Sequence, residues 1–223
     1  RDFCLSRGLG DVYKRQPLYY MNFPKVQRRI TYATSFGSWV ENFPLREKEL
    51  LPWIEQFDAL SMREESGVRM LQSRGMACEW VLDPTLLLEQ TDYDKIAEKR
   101  IIDEPYVLLF SWNGAEEAVE ITKKVSDKLG CKAFYIVPPP RAMFCGIQRK
   151  LDVGPREFLS LVKYAEFIVT NSFHGTVFST IYKKPFISAI KGEVDPRRAS
   201  LMKQLGLENH LISPERMELS TIM

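Results

Sequence analysis

The chain has 223 residues, of which 45% are hydrophobic and 12% aromatic, which is enough apolar side chain for a packed core. This composition excludes global disorder, and a formal net charge of +2 gives no electrostatic basis for binding nucleic acid. No stretch approaches the roughly 18 apolar residues of a membrane span, and no signal-peptide pattern is visible.

Metal and disulfide chemistry are not indicated by the cysteines and histidines. The four cysteines are scattered along the chain, at Cys4, Cys78, Cys131 and Cys145, and the two histidines, His174 and His210, show no metal-ligand spacing. We therefore expect reduced thiols, a cytoplasmic location, and no metal or cofactor.

Residues 1–16 show no periodic pattern and look like a translated sequencing adapter. We interpret them as a non-native artefact segment and leave them out of the fold prediction. On this interpretation the natural N-terminal part is missing, so the first lobe is expected to be incomplete.

Residues 17–103 are predicted to form the remainder of an N-terminal α/β lobe. The pattern predicts strands at 29–35, 58–61 and 80–82, and helices at 44–57 and 62–75. Asp83, before Pro84, is expected to accept a bond from the backbone ahead of it in a turn. The charged stretch 89–104 is predicted to link this lobe to the next.

A second α/β series predicts a C-terminal lobe over residues 104–223. Its strands are predicted at 106–110, 132–137, 167–169, 185–190 and 210–212, and its helices at 115–129, 155–164, 175–182 and 197–205. The proline-rich stretch 138–141 is predicted to be a loop. Alternating elements of this kind indicate an α/β fold with two Rossmann-like lobes whose parallel sheets face a cleft.

The stretch 165–179 carries the strongest functional signal. A short apolar strand breaks into a polar group, and a helix pattern begins near Gly175, so Asn171 or Ser172 can cap that helix. The positive end of the helix dipole then lies beside His174. A titratable imidazole, small hydroxyls and backbone amides at such a turn are suited to holding an anion and moving a proton.

Five blocks of sequence, in order, resemble the polysaccharide pyruvyl transferase family. They are 33–37 (Ala-Thr-Ser-Phe-Gly), 60–67 (Leu-Ser-Met-Arg-Glu-Glu-Ser-Gly), 82–87 (Leu-Asp-Pro-Thr-Leu-Leu), 152–158 (Asp-Val-Gly-Pro-Arg-Glu-Phe), and 169–176 (Val-Thr-Asn-Ser-Phe-His-Gly-Thr) with 184–187 (Lys-Pro-Phe-Ile). The resemblance covers about 30–212. Because five blocks occur in the right order, the resemblance is specific, whereas any one of them alone would be weak.

The resemblance implies a fold similar to the two-lobed GT-B glycosyltransferases, with the active site between the lobes. It also implies transfer of a pyruvyl group from phosphoenolpyruvate to a sugar hydroxyl of a surface polysaccharide or its lipid-linked precursor, leaving a pyruvate ketal. The implied partners are phosphoenolpyruvate and that sugar. Any peripheral membrane association would come through the acceptor only.

Residue roles follow from the same resemblance. His174 matches the family's acid/base histidine, and Arg63 matches the arginine of the Ser-x-Arg-Glu block, which is expected to bind the donor's phosphate or carboxylate. Some family members have a second arginine where this chain has Ser172, so here anion binding would depend on hydroxyls, backbone amides or another cation. The substrate-binding candidates are Arg63, Ser172, Phe173, Gly175, Thr176, Asn171, Ser35 and Arg198.

The proposed chemistry requires these residue types. Phosphoenolpyruvate carries a carboxylate and a phosphate, and its methylene carbon must receive a proton as the sugar oxygen attacks C2. A group that titrates near neutrality does this best, which favours histidine. A planar guanidinium and aligned amides stabilise the departing phosphate.

Other interpretations stay open for several of these residues. Arg63 could instead start a helix and pair with Glu64 or Glu65, and Asp83 is more often a turn former than a base. Arg141 fits a solvated loop charge, and His210 is treated as structural.

Two alternative functions also remain. The chain could be a GT-B-type glycosyltransferase that grips the ribose of a nucleotide sugar with Glu193 or Asp195. It could also be an inactive protein that binds a sugar or assembles with other polysaccharide enzymes.

Overall fold

A computed structural model describes residue 20 and residues 27–111, 115–136, 147–149 and 152–217. The interpreted artefact segment 1–16 and the predicted loop 138–141 lie outside the described residues. The chain divides into two compact units, with the boundary between Val81 and Leu82. Among the described residues, no helix is both long and apolar enough to cross a membrane.

Unit 1, up to Val81, is built on short parallel pairings. Strands β1 (Ser61–Met62) and β2 (Glu79–Trp80) pair in parallel, and helices α1 (Phe43–Ile54) and α2 (Glu65–Gln72) pack beside them. The strand predicted at 29–35 is reduced to two parallel bridges, Ile30 with Ala59 and Thr34 with Met62. Ala33 between them has a φ of 52°, and this left-handed conformation interrupts extended pairing.

Unit 2, from Leu82, contains a six-stranded parallel sheet in the order β5-β4-β3-β6-β7-β8. Its strands are β3 (Tyr106–Phe110), β4 (Lys132–Tyr135), β5 (Gln148–Arg149), β6 (Phe167–Thr170), β7 (Phe186–Ala189) and β8 (Leu211–Ile212). Its helices are α3 (Gln90–Asp94), α4 (Glu116–Leu129), α5 (Pro155–Tyr164), α6 (Phe173–Ile181) and α7 (Pro196–Leu205). The predicted α/β class with parallel sheets is confirmed.

The central strand β3 pairs with β4 on one side and with β6 on the other. Chain order therefore reverses at β3, and ligands of doubly wound sheets bind in the crevice outside the carboxyl ends of the strands at such a point. Side chains alternate across the sheet: Leu108 and Ile168 belong to one core cluster, and Leu109 and Val169 belong to the other. Both faces of the sheet are thus covered.

The boundary between the units lies earlier than the predicted linker 89–104. Tyr93 and Ile102, within that stretch, are buried in the core of unit 2. The backbone of the stretch is also bonded to α5, because Ser160 Oγ donates to Lys99 O at 2.8 Å. Charge suggested a solvated linker, but these two apolar side chains and the backbone bonds attach the stretch to the second core.

The first turn of α6 lies unusually close to β6 and β3, and Gly175 permits this approach. A Cβ added at Gly175 would overlap Thr170 Oγ1 and would lie 2.9 Å from the ring of Phe110. Thr170 is fully buried and Phe110 is half-buried, and both lie at strand ends, so little space is available for relaxation.

We predict that Gly175→Ala lowers the free energy of unfolding by about 1–3 kcal/mol, the usual penalty for overpacking a core. Chemical denaturation monitored by circular dichroism measures this. Gly154→Ala is the matched control, since its added methyl would meet only the flexible carboxylate end of Glu157. Equal destabilisation by both substitutions would contradict the account.

Candidate active site

The turn between β6 and α6 is fixed by hydrogen bonds from both of its ends. Thr170 Oγ1 donates to Phe110 O of β3 at 2.5 Å and accepts from Ser172 N at 3.0 Å. Ser172 caps α6, because its Oγ accepts from Gly175 N at 3.4 Å. The sequence predicts either Asn171 or Ser172 as the N-cap of this helix, and the structure has Ser172 at that position.

His174 lies in the first turn of this helix and its side chain is exposed. The neighbouring Phe173 is buried in a cluster with Val177 and Leu201, and its ring meets the His174 imidazole edge-on with 5.3 Å between centroids. Phe173 therefore anchors the turn from inside, while the imidazole projects outside the core. Position and exposure allow His174 to exchange a proton with a bound molecule.

Behind the first turn of α6 lies a chain of buried polar side chains. Thr176 Oγ1 donates to Ser172 O at 3.2 Å and lies 3.4 Å from Ser188 Oγ. Arg198 Nη1 donates to Ser188 Oγ at 3.0 Å and to Ala189 O at 2.9 Å. This chain ties the end of β7 and the start of α7 to the turn that carries His174.

Two predicted substrate-binding residues belong to this buried chain. Thr176 is fully buried and Arg198 is 7% exposed. Burial lowers the pKa of the Arg198 guanidinium, opposed by the negative charges of Asp195 and Glu117. Its Nε is buried with no hydrogen-bond acceptor among the described residues. Arg198 therefore places a positive charge inside the sheet edge next to the candidate site.

Sequence reasoning missed Ser188, the central member of this chain. It lies in β7, where all four residues are buried, and it is the polar one among them. A serine inside an apolar strand is a signal that could have been noticed, because a buried hydroxyl needs a partner.

Asp195, a candidate for gripping a ribose, is committed to protein contacts. Its carboxylate caps α7 by accepting from Arg197 N at 3.0 Å, and it pairs with the Arg197 side chain at 2.9 Å. Burial alone would raise the pKa of Asp195, but hydrogen bonds and charge from Arg197 and the backbone of Arg198 hold it below its usual value. Nothing in this geometry favours the nucleotide-sugar alternative.

The lowered pKa of Asp195 makes stability pH-dependent in a defined direction. The ionised carboxylate stabilises the fold above the unfolded-state pKa of about 3.9, and this contribution is lost as the pH falls through the lower folded-state pKa. Asp195→Asn keeps a capping oxygen but removes the charge.

We predict that wild type exceeds Asp195→Asn in stability at pH 7 and that the difference shrinks at pH 3. Urea unfolding midpoints at the two pH values measure it. A difference that does not change with pH would show that the charge contributes nothing.

Ser35 and Arg63 lie in unit 1, where both line one cavity of about 560 Å³. The Arg63 backbone joins the same segment, since Arg63 N donates to Thr34 O at 3.1 Å. The two carboxylates considered as partners of Arg63 have other contacts: Glu65 pairs with Arg69 at 2.5 Å, and Glu64 accepts bonds from residues 36 and 37.

The structure thus groups the predicted residues in two sets. Asn171, which is half-buried, lies with Ser172, Phe173, His174, Gly175 and Thr176 around the start of α6, next to Arg198; Ser35 and Arg63 share the cavity of unit 1. His210 is held by Phe186, through a bond to its carbonyl at 2.9 Å and ring stacking at 4.5 Å. In the described part of the chain, no three His, Cys, Asp or Glu side chains are grouped as metal ligands.

Residues 3–190 match the family model of the polysaccharide pyruvyl transferases. Because this range covers most of the chain, the protein belongs to the polysaccharide pyruvyl transferase family. The matched range includes residues 3–16, so the family model does not separate the segment interpreted as an artefact from the rest of the chain. No curated protein matches the chain.

Two of the solved structures that align with this chain are UDP-N-acetylglucosamine 2-epimerases by their descriptions. One is a UDP-N-acetylglucosamine 2-epimerase of Listeria monocytogenes described as putative, with 10% identity and a TM-score of 0.48, aligned over 86% of this chain and 60% of that one. The other is the UDP-GlcNAc 2-epimerase of Methanocaldococcus jannaschii, with 14% identity and a TM-score of 0.41, aligned over 69% of this chain and 50% of that one. The chain therefore spans less than two thirds of either.

Proposed function

We propose that this protein transfers the pyruvyl group of phosphoenolpyruvate to hydroxyls of a sugar in a surface polysaccharide or its precursor, forming a pyruvate ketal in the cytoplasm. The observation that carries the proposal is the exposed imidazole of His174 at the first turn of α6, in a chain of the pyruvyl transferase family. The turn lies at the carboxyl edge of the sheet beside its switch point, where doubly wound folds bind ligands.

The reaction balances without an oxidant or a further reactant. A proton is added to the methylene carbon of phosphoenolpyruvate as one sugar hydroxyl oxygen bonds to C2. The C2–O bond to phosphate then breaks, a second hydroxyl oxygen bonds to C2, and the products are a ketal with a methyl group and inorganic phosphate. The two hydroxyl protons offset the proton added to carbon and the one carried by the phosphate.

His174 is the proposed proton donor to the methylene carbon. The positive end of the α6 dipole favours the anionic donor at this turn, and the buried charge of Arg198 adds to that potential. Arg63 offers a planar fork for phosphate or carboxylate. Any association with a membrane would come through a lipid-linked acceptor.

We predict that His174→Ala lowers kcat by at least about 100-fold, the usual range for losing a general acid. The affinity for phosphoenolpyruvate should stay within about tenfold, because the proton moves in the transition state and not in the bound state. Phosphate release in the presence of acceptor measures turnover, and titration calorimetry measures affinity.

His210→Gln is the matched control, since it changes the chain's other histidine, which is bonded to Phe186 O. It should leave kcat within about threefold of wild type. Normal turnover in His174→Ala, or equal loss in both variants, would refute the assignment.

Donor identity is tested separately by calorimetry with phosphoenolpyruvate and with a nucleotide sugar. We predict that wild type binds phosphoenolpyruvate and that Arg63→Ala weakens this binding by about tenfold or more, because a charge-assisted bidentate contact is lost. Arg69→Ala is the control, since Arg69 is exposed and pairs with Glu65 on α2. Binding of the nucleotide sugar alone would overturn the proposal.

A further inference from the structure

Glu64 has a carboxylate that is entirely removed from solvent, directly after Arg63 in the chain. Its Oε1 accepts from Phe36 N at 2.5 Å and from Gly37 N at 3.2 Å. The nearby Ser35 hydroxyl opposes the rise in the pKa of this carboxylate that burial causes. The amides of two successive residues thus converge on one side chain, and successive amides of this kind form a concavity suited to an anion.

The turn at 35–37 depends on this convergence for its shape. Gly37 has a φ of 59°, in the left-handed region that glycine adopts without penalty, and its N–H donates to Glu64. The same N–H also donates to Ser35 Oγ at 3.0 Å. The position of the Ser35 hydroxyl is therefore set by the turn and by the carboxylate together.

The backbone next to Glu64 is also held by hydrogen bonds. Arg63 N donates to Thr34 O, and Thr34 N donates to Ser61 O, each at 3.1 Å. Gly67 lies against the same carboxylate, since a Cβ there would be 3.4 Å from Glu64 Oε1. Glu64 therefore joins the turn that carries Ser35 to the backbone that carries Arg63, and both of these residues line the cavity of unit 1.

Burying a carboxylate at the start of a helix lowers the stability of the fold. Burial raises the pKa of Glu64 above its usual value, although bonds from Ser35, Phe36 and Gly37 and the charge of Arg63 oppose the change. Its Oε2 is buried with no partner among the described residues. A serine or threonine would start α2 at lower cost, so the carboxylate is explained better by the turn that it holds.

We propose that Glu64 is a positioning residue for donor binding: it does not contact phosphoenolpyruvate but holds the Ser35 turn at a fixed position relative to Arg63. This inference rests on the proposed function, in which Arg63 binds the donor's phosphate or carboxylate. Without the Glu64 carboxylate, the Ser35 turn is no longer held at a fixed position relative to Arg63. Binding of phosphoenolpyruvate is then weaker, but His174, the proposed proton donor, is unchanged.

Three variants measured by titration calorimetry with phosphoenolpyruvate test this inference. Glu64→Ala should weaken donor binding by about tenfold, while kcat at saturating donor stays within about threefold. Glu64→Gln keeps an acceptor oxygen at the position of Oε1 and should bind within about threefold of wild type. Glu65→Ala, the neighbouring control, removes a carboxylate that pairs with Arg69 and should bind like wild type.

Hydrogen exchange at the amides of Phe36 and Gly37 reports on the anchor itself. Exchange should be faster in Glu64→Ala and near normal in Glu64→Gln. If Glu64→Ala does not fold, Glu64→Asp takes its place, because its carboxylate is one methylene too short to reach the turn and should weaken donor binding similarly.

The outcomes separate this inference from the proposed function. If wild type and Glu64→Ala bind phosphoenolpyruvate equally, or if Glu64→Ala loses kcat rather than affinity, the inference is overturned and the proposed function stands. If wild type does not bind phosphoenolpyruvate at all, the proposed function fails and the inference fails with it.

Discussion

The close approach of α6 to β6 is the constraint on which the candidate site depends. Gly175 has no side chain, so the helix can begin directly above Thr170, and the Thr170 hydroxyl then bonds both β3 and the turn. Ser172 caps the helix and Phe173 anchors it in the core, which leaves His174 exposed at the edge of the sheet. A bulkier residue at 175 would move the turn, and the imidazole with it.

The two units have one feature in common. In each, a buried polar side chain is hydrogen-bonded to the turn that carries an exposed or half-buried candidate residue. In unit 2, Arg198 and Ser188 support the turn of His174 through Thr176. In unit 1, Glu64 supports the turn of Ser35 next to Arg63. Buried polar groups lower stability unless they are bonded, so such networks are expected where the position of a side chain matters for function.

Much of the fold could be predicted from the sequence because local pattern and final structure agree. The strand at 106–110 and the helix at 155–164 were predicted with the bounds that the structure shows, and the Asp83 turn is confirmed by the bond from Thr85 N at 3.0 Å. Prediction failed where distant contacts decide. The left-handed Ala33 breaks a strand that looks continuous, and the burial of Tyr93 and Ile102 moves the boundary between units.

The same distinction applies to the site. His174 and its capping turn were visible in the sequence, because a strand, a polar break and a helix are contiguous there. The roles of Ser188 and Glu64 were not, since each depends on partners elsewhere in the chain: Ser188 contacts Thr176, and Glu64 accepts bonds from residues 36 and 37. The local sequence pattern identifies a candidate site residue such as His174. The tertiary fold identifies the buried residues, such as Ser188 and Glu64, that hold the candidate residues in position.

The central claim is that the His174 imidazole delivers a proton to the methylene carbon of phosphoenolpyruvate. A crystal structure of the protein with this donor bound tests it most directly. The account predicts an imidazole nitrogen about 3–3.5 Å from the methylene carbon, which is the separation of reacting atoms in a productive complex. A donor bound with its methylene carbon well outside that distance, or with the imidazole turned away from it, would contradict the account.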